Sequence, residues 1–343
     1  MKEQLKIRDI LKISSCGSAL ILIFEVLATI IFPWIYSQTS KNADYTSILY
    51  SKNFKFALSY VCAYLIAIPL LILIFHFIRG KKINHSLKKY FKKPERSFAW
   101  CAKWTVIGIG VFQLAGFCLS YLITFVRSRF DLFPSDSMPE IKCNAFGYIS
   151  LFVVTCILAP FFEELFFRGT LFINNKPMGE GFAIVVTGLF FALWHMNYPQ
   201  FGIAFGLGMV TSFMMLKTKS LLPSMLCHFV NNLFGYITQV GALQFYKETA
   251  SYSDIQTVLR FLYANNRVMF VMYSACMLVI AIFVVVGIAL FIRELLKLKK
   301  RSPLGKGSFE VNSVKAKILY FVSPITLITV ILLAYATFFK PGV

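Results

Sequence analysis

Charge is scarce in this 343-residue chain, and negative charge scarcer still: Asp, Glu, Lys and Arg make up 15% of residues, with 15 acids against 35 bases and only four histidines. A soluble globular domain is about 25% charged, so that class is excluded. The eight cysteines contain no C-x-x-C pair, which argues against a thiolate zinc site, a dithiol redox motif or a disulfide framework. Cys62, Cys118, Cys156, Cys227 and Cys276 fall in apolar runs, where a thiol behaves as a small hydrophobe. Only Cys143 falls in a clearly polar loop. No H-E-x-x-H zinc motif is present, nor any internal repeat. No small-residue cleavage site follows the first apolar run, so that run is expected to stay as a helix rather than leave as a signal peptide.

What is abundant is apolar surface. Hydrophobic residues are 58% of the chain, Phe and Tyr number 37 and 16, and the mean hydropathy is +0.70. About 20 apolar residues span a hydrocarbon core of about 30 Å. Nine segments approach that length, at about 16–37, 56–78, 98–126, 147–174, 181–198, 200–216, 221–241, 268–292 and 317–339. The expected fold class is therefore all-α, a polytopic transmembrane helical bundle of about nine helices. Segments five and six are short, and Pro199 between them predicts a helical hairpin. The segments 79–96 and 293–317 each carry eight Lys and Arg. Placing them inside, as basic loops prefer, puts the N-terminus inside and the C-terminus outside a plasma membrane. The +20 charge is thus read as membrane orientation, with the bilayer as partner and no nucleic acid. The outer loops 127–146 and 242–267 contain modest apolar patches such as TVLRFLY and are expected to lie along the membrane surface.

Within the fourth segment, CILAPFFEELFFRGT places Glu163, Glu164 and Arg168 in otherwise apolar sequence. Each such charge at a bilayer centre costs about 2.5–3.5 kcal/mol on insertion scales, so compensation or function is required. At 100° per residue, Glu164 and Arg168 lie one turn apart on one face and can pair. Glu163 is turned well away from Arg168. That leaves it as a candidate general base, whereas a charge cluster holding helices in register is the structural alternative. Histidine favours function. His76 sits at a helix end and His85 in the basic loop, but His195 and His228 fall inside apolar segments, and Asn232 shares a helix face with His228. Asn231 is an i+3 alternative. Counted from the inner segment ends, Glu163, His195, His228 and Asn232 lie at roughly 10–21 Å depth, a common layer.

These residues carry a resemblance. EELFFR fits E-E-x-x-x-R, FALWH from Phe191 to His195 fits F-x-x-x-H, and HFVNN fits H-x-x-x-[ND]. Together and in this order they resemble the CAAX-protease and bacteriocin-processing family of intramembrane proteases, which includes the Ras-converting prenyl-protein endopeptidase. The resemblance covers about 145–240. It implies a catalytic core of four helices at 145–241, between flanking transmembrane helices at 1–144 and a loop and helices at 242–343. It also implies hydrolysis of a peptide bond in a membrane-associated peptide or protein, such as a bacteriocin or pheromone leader or a CAAX-like tail. Glu163 with His195 would activate water, and His228 with Asn232 would hold the oxyanion. Glu164, Arg168 and Phe191 would support the geometry. Family members have been called metalloproteases, and Glu163, His195 and His228 are the three residues that could meet around zinc. A metal-free glutamate mechanism without cofactor is the favoured expectation, with zinc as the alternative. A non-proteolytic scaffold, regulator or immunity protein binding partner helices is the rival to an enzyme. A proton-coupled transporter would require paired half-helices in two repeats.

Overall fold

The computed structural model describes residues 7–41, 51–80, 83, 86–129, 144–249, 255–298 and 314–339. His85, Cys143 and the central part of the first outer loop lie outside them. Every one of the nine apolar segments is helical, and the described residues contain no strand. The chain is thus a polytopic helical bundle. We number its helices α1 (Ile7–Ser40), α2 (Lys52–Gly80), α3 (Phe98–Ser128), α4 (Ala145–Met178), α5 (Glu180–Trp194), α6 (Tyr198–Thr218), α7 (Leu222–Thr249), α8 (Ile255–Asn265), α9 (Arg267–Leu298), α10 (Val314–Val322) and α11 (Pro324–Phe338).

Among the described residues, α1, α2, α3, α4, α6 and α9 are each long and apolar enough to cross a membrane alone. The count becomes seven if α10 and α11, bent by 70° at Ser323, form one broken span. The other two anticipated spans are helices of a different kind. The 15-residue α5 is apolar but short, and α7 spends its length on polar side chains such as His228, Asn231 and Asn232. The hairpin between α5 and α6 turns at His195–Asn197 rather than at Pro199, which sits in the first turn of α6. There Pro loses nothing, because the first N–H groups of a helix have no partner inside it. Asn197 caps the new helix by accepting from the Gln200 amide. The surface patch TVLRFLY folds into the short helix α8, which buries Val258 and Leu262.

Without a hydrophobic drive between helices in lipid, close packing needs small residues. A side chain at Gly110 of α3 would overlap the Phe283 carbonyl of α9, and one at Gly116 would stand 2.6 Å from the Ile203 amide of α6. α3 is therefore wedged between α6 and α9 with backbones nearly touching. Overpacking of this kind costs about 1–3 kcal/mol, and Gly110→Ala is expected to lower the midpoint of thermal unfolding in detergent; an unchanged midpoint would mean that α3 and α9 do not cross there. At the other side of the bundle, a ladder of small polar groups joins α1 to α10 and α11. Ser14 bonds Ser323 at 3.0 Å, Ser18 bonds Thr326 at 3.0 Å, and Asn174 of α4 donates to the Ile13 carbonyl at 2.8 Å. The basic segment before α3 is pinned at the α6–α7 turn, where Lys219 and Lys92 hold the exposed Glu95 carboxyl down to about 2.

Candidate active site

The fourth helix is not a uniform α-helix. It widens into π-helical turns at Val153–Leu158 and again at Phe167–Phe172, and such bulges recur at functional sites because they re-aim side chains. Between them the α-helical stretch Ala159–Phe166 carries Glu163 and Glu164, both buried. Arg168, fully buried in the second π turn, approaches Glu164 Oε1 to 2.9 Å, as the i,i+4 spacing predicts. This contact is an ion pair out of line for a hydrogen bond. The guanidinium carbon also stands over an aromatic face, 4.5 Å from the Phe191 ring centre, a cation–π contact that strengthens when desolvated.

Glu164 has a second partner. His228 of α7 places Nδ1 2.9 Å from the same Oε1. Glu164 is therefore shared between Arg168 and His228 rather than reserved for the arginine. Its carboxylate can only accept, so His228 Nδ1 carries a proton. The other ring nitrogen, Nε2, faces Glu163 Oε2 at 3.8 Å. That is beyond hydrogen-bond length but within reach of one shared small ligand. Glu163 thus does not point away from the cluster: both carboxylates converge on His228 from adjacent positions. Nor is Glu163 unpaired. Its Oε1 accepts a 2.6 Å hydrogen bond from the hydroxyl of Tyr64 in α2, while its Oε2 makes no hydrogen bond among the described residues.

His195 stands just past the end of α5, as its C-cap, and not within the helix. Its Nδ1 lies 2.8 Å from the Phe191 carbonyl one turn back. A carbonyl can only accept, so Nδ1 is again the protonated nitrogen, and Nε2 of the neutral ring carries the lone pair. Phe191 is the hub of the site. Its carbonyl orients His195, and its ring meets His195 and His228 edge-on at 4.9 and 5.5 Å with Arg168 over its face. Asn232 lies one turn beyond His228 and donates to the Thr155 carbonyl of the first π turn at 2.8 Å. Asn231 bonds Asn232 at 3.2 Å and accepts from the buried Gln113 of α3 at 2.9 Å. Tyr64, Thr155 and Gln113 were not singled out from the sequence; only the buried polar ends they satisfy reveal them. Alongside, an apolar groove of about 420 Å³ runs between α4 and α7, lined by Cys156, Pro160, Phe161, Met225, Leu226 and Phe229.

Residues 145–234 match the family model of the type II CAAX prenyl endopeptidases, described as Rce1-like. The segment resembles an Rce1-like domain. It holds Glu163, Glu164, Arg168, Phe191, His195, His228 and Asn232, whereas Tyr64 and Gln113 lie outside it. A membrane-embedded CAAX protease of Staphylococcus aureus (strain USA300), MroQ, is 24% identical over 156 residues, covering 43% of this chain and 61% of that protein. No solved structure matches. Among the described residues of the Rce1-like domain and its flanks, no three His, Cys, Asp or Glu side chains stand together closely enough to hold a metal ion.

Proposed function

We propose that the chain is an intramembrane endopeptidase that hydrolyses a peptide bond in a membrane-associated peptide or protein. The observation that carries this reading is the pair formed by Glu163 Oε2 and His228 Nε2, 3.8 Å apart and buried in a helix bundle. A 3.8 Å separation between polar groups leaves room for one bridging oxygen, the position a hydrolytic water needs. Glu163 Oε2 takes a proton from that water as its oxygen bonds to the peptide carbonyl carbon. The carbonyl π pair moves to oxygen and forms an oxyanion. His195, with its Nε2 lone pair, shares in holding the attacking water. His228, when protonated at Nε2, and the second N–H of Asn232 face the developing negative charge. One such donor is worth about 10²–10³ in rate. The proton then passes from Glu163 to the leaving amine, the C–N bond breaks as the oxyanion pair re-forms the C=O, and the resulting carboxylic acid gives its remaining proton to solvent.

The match to an Rce1-like family supports the reaction class. As substrates we propose bacterial membrane peptides, such as bacteriocin or pheromone leaders or CAAX-like tails, handled in a plasma membrane with the N-terminus inside and the C-terminus outside. The test is a census of peptide termini from membranes that contain the parent protein or its Glu163→Ala form. New termini with the parent alone support the protease. Identical censuses would leave a scaffold that binds partner helices as the better reading.

The metal-free step makes its own prediction. Protein purified with chelator is expected to contain no stoichiometric metal and to cleave at the parent rate. Activity lost with chelator and restored by Zn²⁺, with about one zinc per active chain, would overturn the glutamate mechanism and leave the peptidase standing.

A further inference from the structure

Helix α2 lies outside the Rce1-like domain, yet it sends one side chain into the site. Tyr64 is buried, and its hydroxyl donates to Glu163 Oε1 at 2.6 Å. Two local features aim it. Residues Ala63–Ala67 form a π-helical turn, and Pro69 follows in the next turn, where a proline cannot donate the helical hydrogen bond a straight α-helix would require. The ring is further fixed against Phe162 of α4 at 6.2 Å and Tyr60 at 6.1 Å. A carboxylate that swings freely presents either oxygen to its surroundings. One anchored at Oε1 presents only Oε2, and Oε2 is the atom that faces His228.

We propose that Tyr64 is the positioning residue of the general base: its phenol locks the Glu163 carboxylate in the rotamer that aims Oε2 at the reacting water. The proposal rests on the peptidase reading and extends the working site to a helix outside the matched segment. A hydrogen bond to a charged group has the strength to alter a rate by about 10–100-fold. Tyr64→Phe keeps the ring and its stacking and removes only the donor. With the peptide that the parent cleaves fastest in the census, reconstituted in phosphatidylethanolamine–phosphatidylglycerol vesicles, it is expected to lower kcat by about 10–100-fold and leave KM unchanged. In a Glu163→Gln background it is expected to cause no further loss, since there is no longer a carboxylate to aim. An unchanged kcat, or a raised KM with kcat intact, would overturn the proposal. If the parent and Glu163→Gln cleave equally, Glu163 is not the general base, and the assignment on which the proposal rests has failed.

A readout independent of turnover separates the two failures. With 3-fluorotyrosine at position 64, the ¹⁹F resonance is expected to shift when Glu163 becomes Gln, because the phenol's acceptor changes from carboxylate to amide. A resonance indifferent to that change would show that the phenol and carboxylate do not meet, and would sink the positioning role whatever the activity.

Discussion

Glu163→Gln is expected to reduce kcat for peptide cleavage by about 10²–10⁴-fold, the usual contribution of a positioned general base. The substitution is nearly isosteric, so the amide oxygen can still accept from Tyr64 and the backbone of the Ala159–Phe166 helix is undisturbed. What is lost is the ability of the group facing His228 to accept a proton. The thermal unfolding midpoint in detergent should stay near that of the parent, because no charged partner is stranded. Cleavage and unfolding measured on the same preparation separate a chemical defect from misfolding. A Glu163→Gln protein that cleaves at the parent rate would remove Glu163 from the reaction, and with it the water-activating step.

The largest effect on stability is expected one residue later. Glu164→Ala removes the ion-pair partner of Arg168 and the hydrogen-bond acceptor of His228, and Arg168 has no exposed surface through which to recover hydration. Leaving one member of a buried pair alone typically costs about 3–5 kcal/mol, enough to erase much of the stability of an ordinary domain. Arg168→Ala should be somewhat milder, since Glu164 keeps His228. The double variant should be less destabilised than the sum of the two single ones, because groups in one network do not add. Unfolding midpoints of the three proteins decide the matter. Two single variants as stable as the parent would mean that the carboxylate and guanidinium do not depend on one another.

The contrast between neighbouring glutamates was only half legible in the sequence. Glu164 and Arg168 sit four residues apart on one helix, so their pairing follows from helical pitch alone. His228 and Asn232, and Phe191 and His195, are legible for the same reason: each pair is written within one turn. Contacts between helices are different. That His228 bridges to Glu164 depends on how α7 crosses α4, and nothing in the spacing of either helix states that angle. Tyr64 was harder still. An aromatic in an apolar run is the ordinary composition of a lipid-facing surface, and its partner is 99 residues away. Azimuths counted at 100° per residue also fail wherever the helix widens, as at Phe167–Phe172. Six, or seven with the bent pair, of the nine anticipated spans are helices long and apolar enough to cross a membrane among the described residues, and hydropathy alone does not distinguish a crossing from a short apolar helix such as α5.

The serine and threonine ladder on α1 has a consequence for biogenesis. Ser14 and Ser18 leave the ribosome with the first helix, but Ser323, Thr326 and Thr329 are made more than 300 residues later. In the interval the hydroxyls of α1 have only their own helix to bond, as Ser14 does with the Leu11 carbonyl at 3.1 Å. They mark α1 as a surface held in waiting. The same helix also packs by Gly17 against Leu171 and Asn174 of α4, so its final seating and that of the C-terminal end of α4 are completed together. A chain that ends before Val314 therefore has a first helix without the partners of its Ser14 and Ser18 hydroxyls.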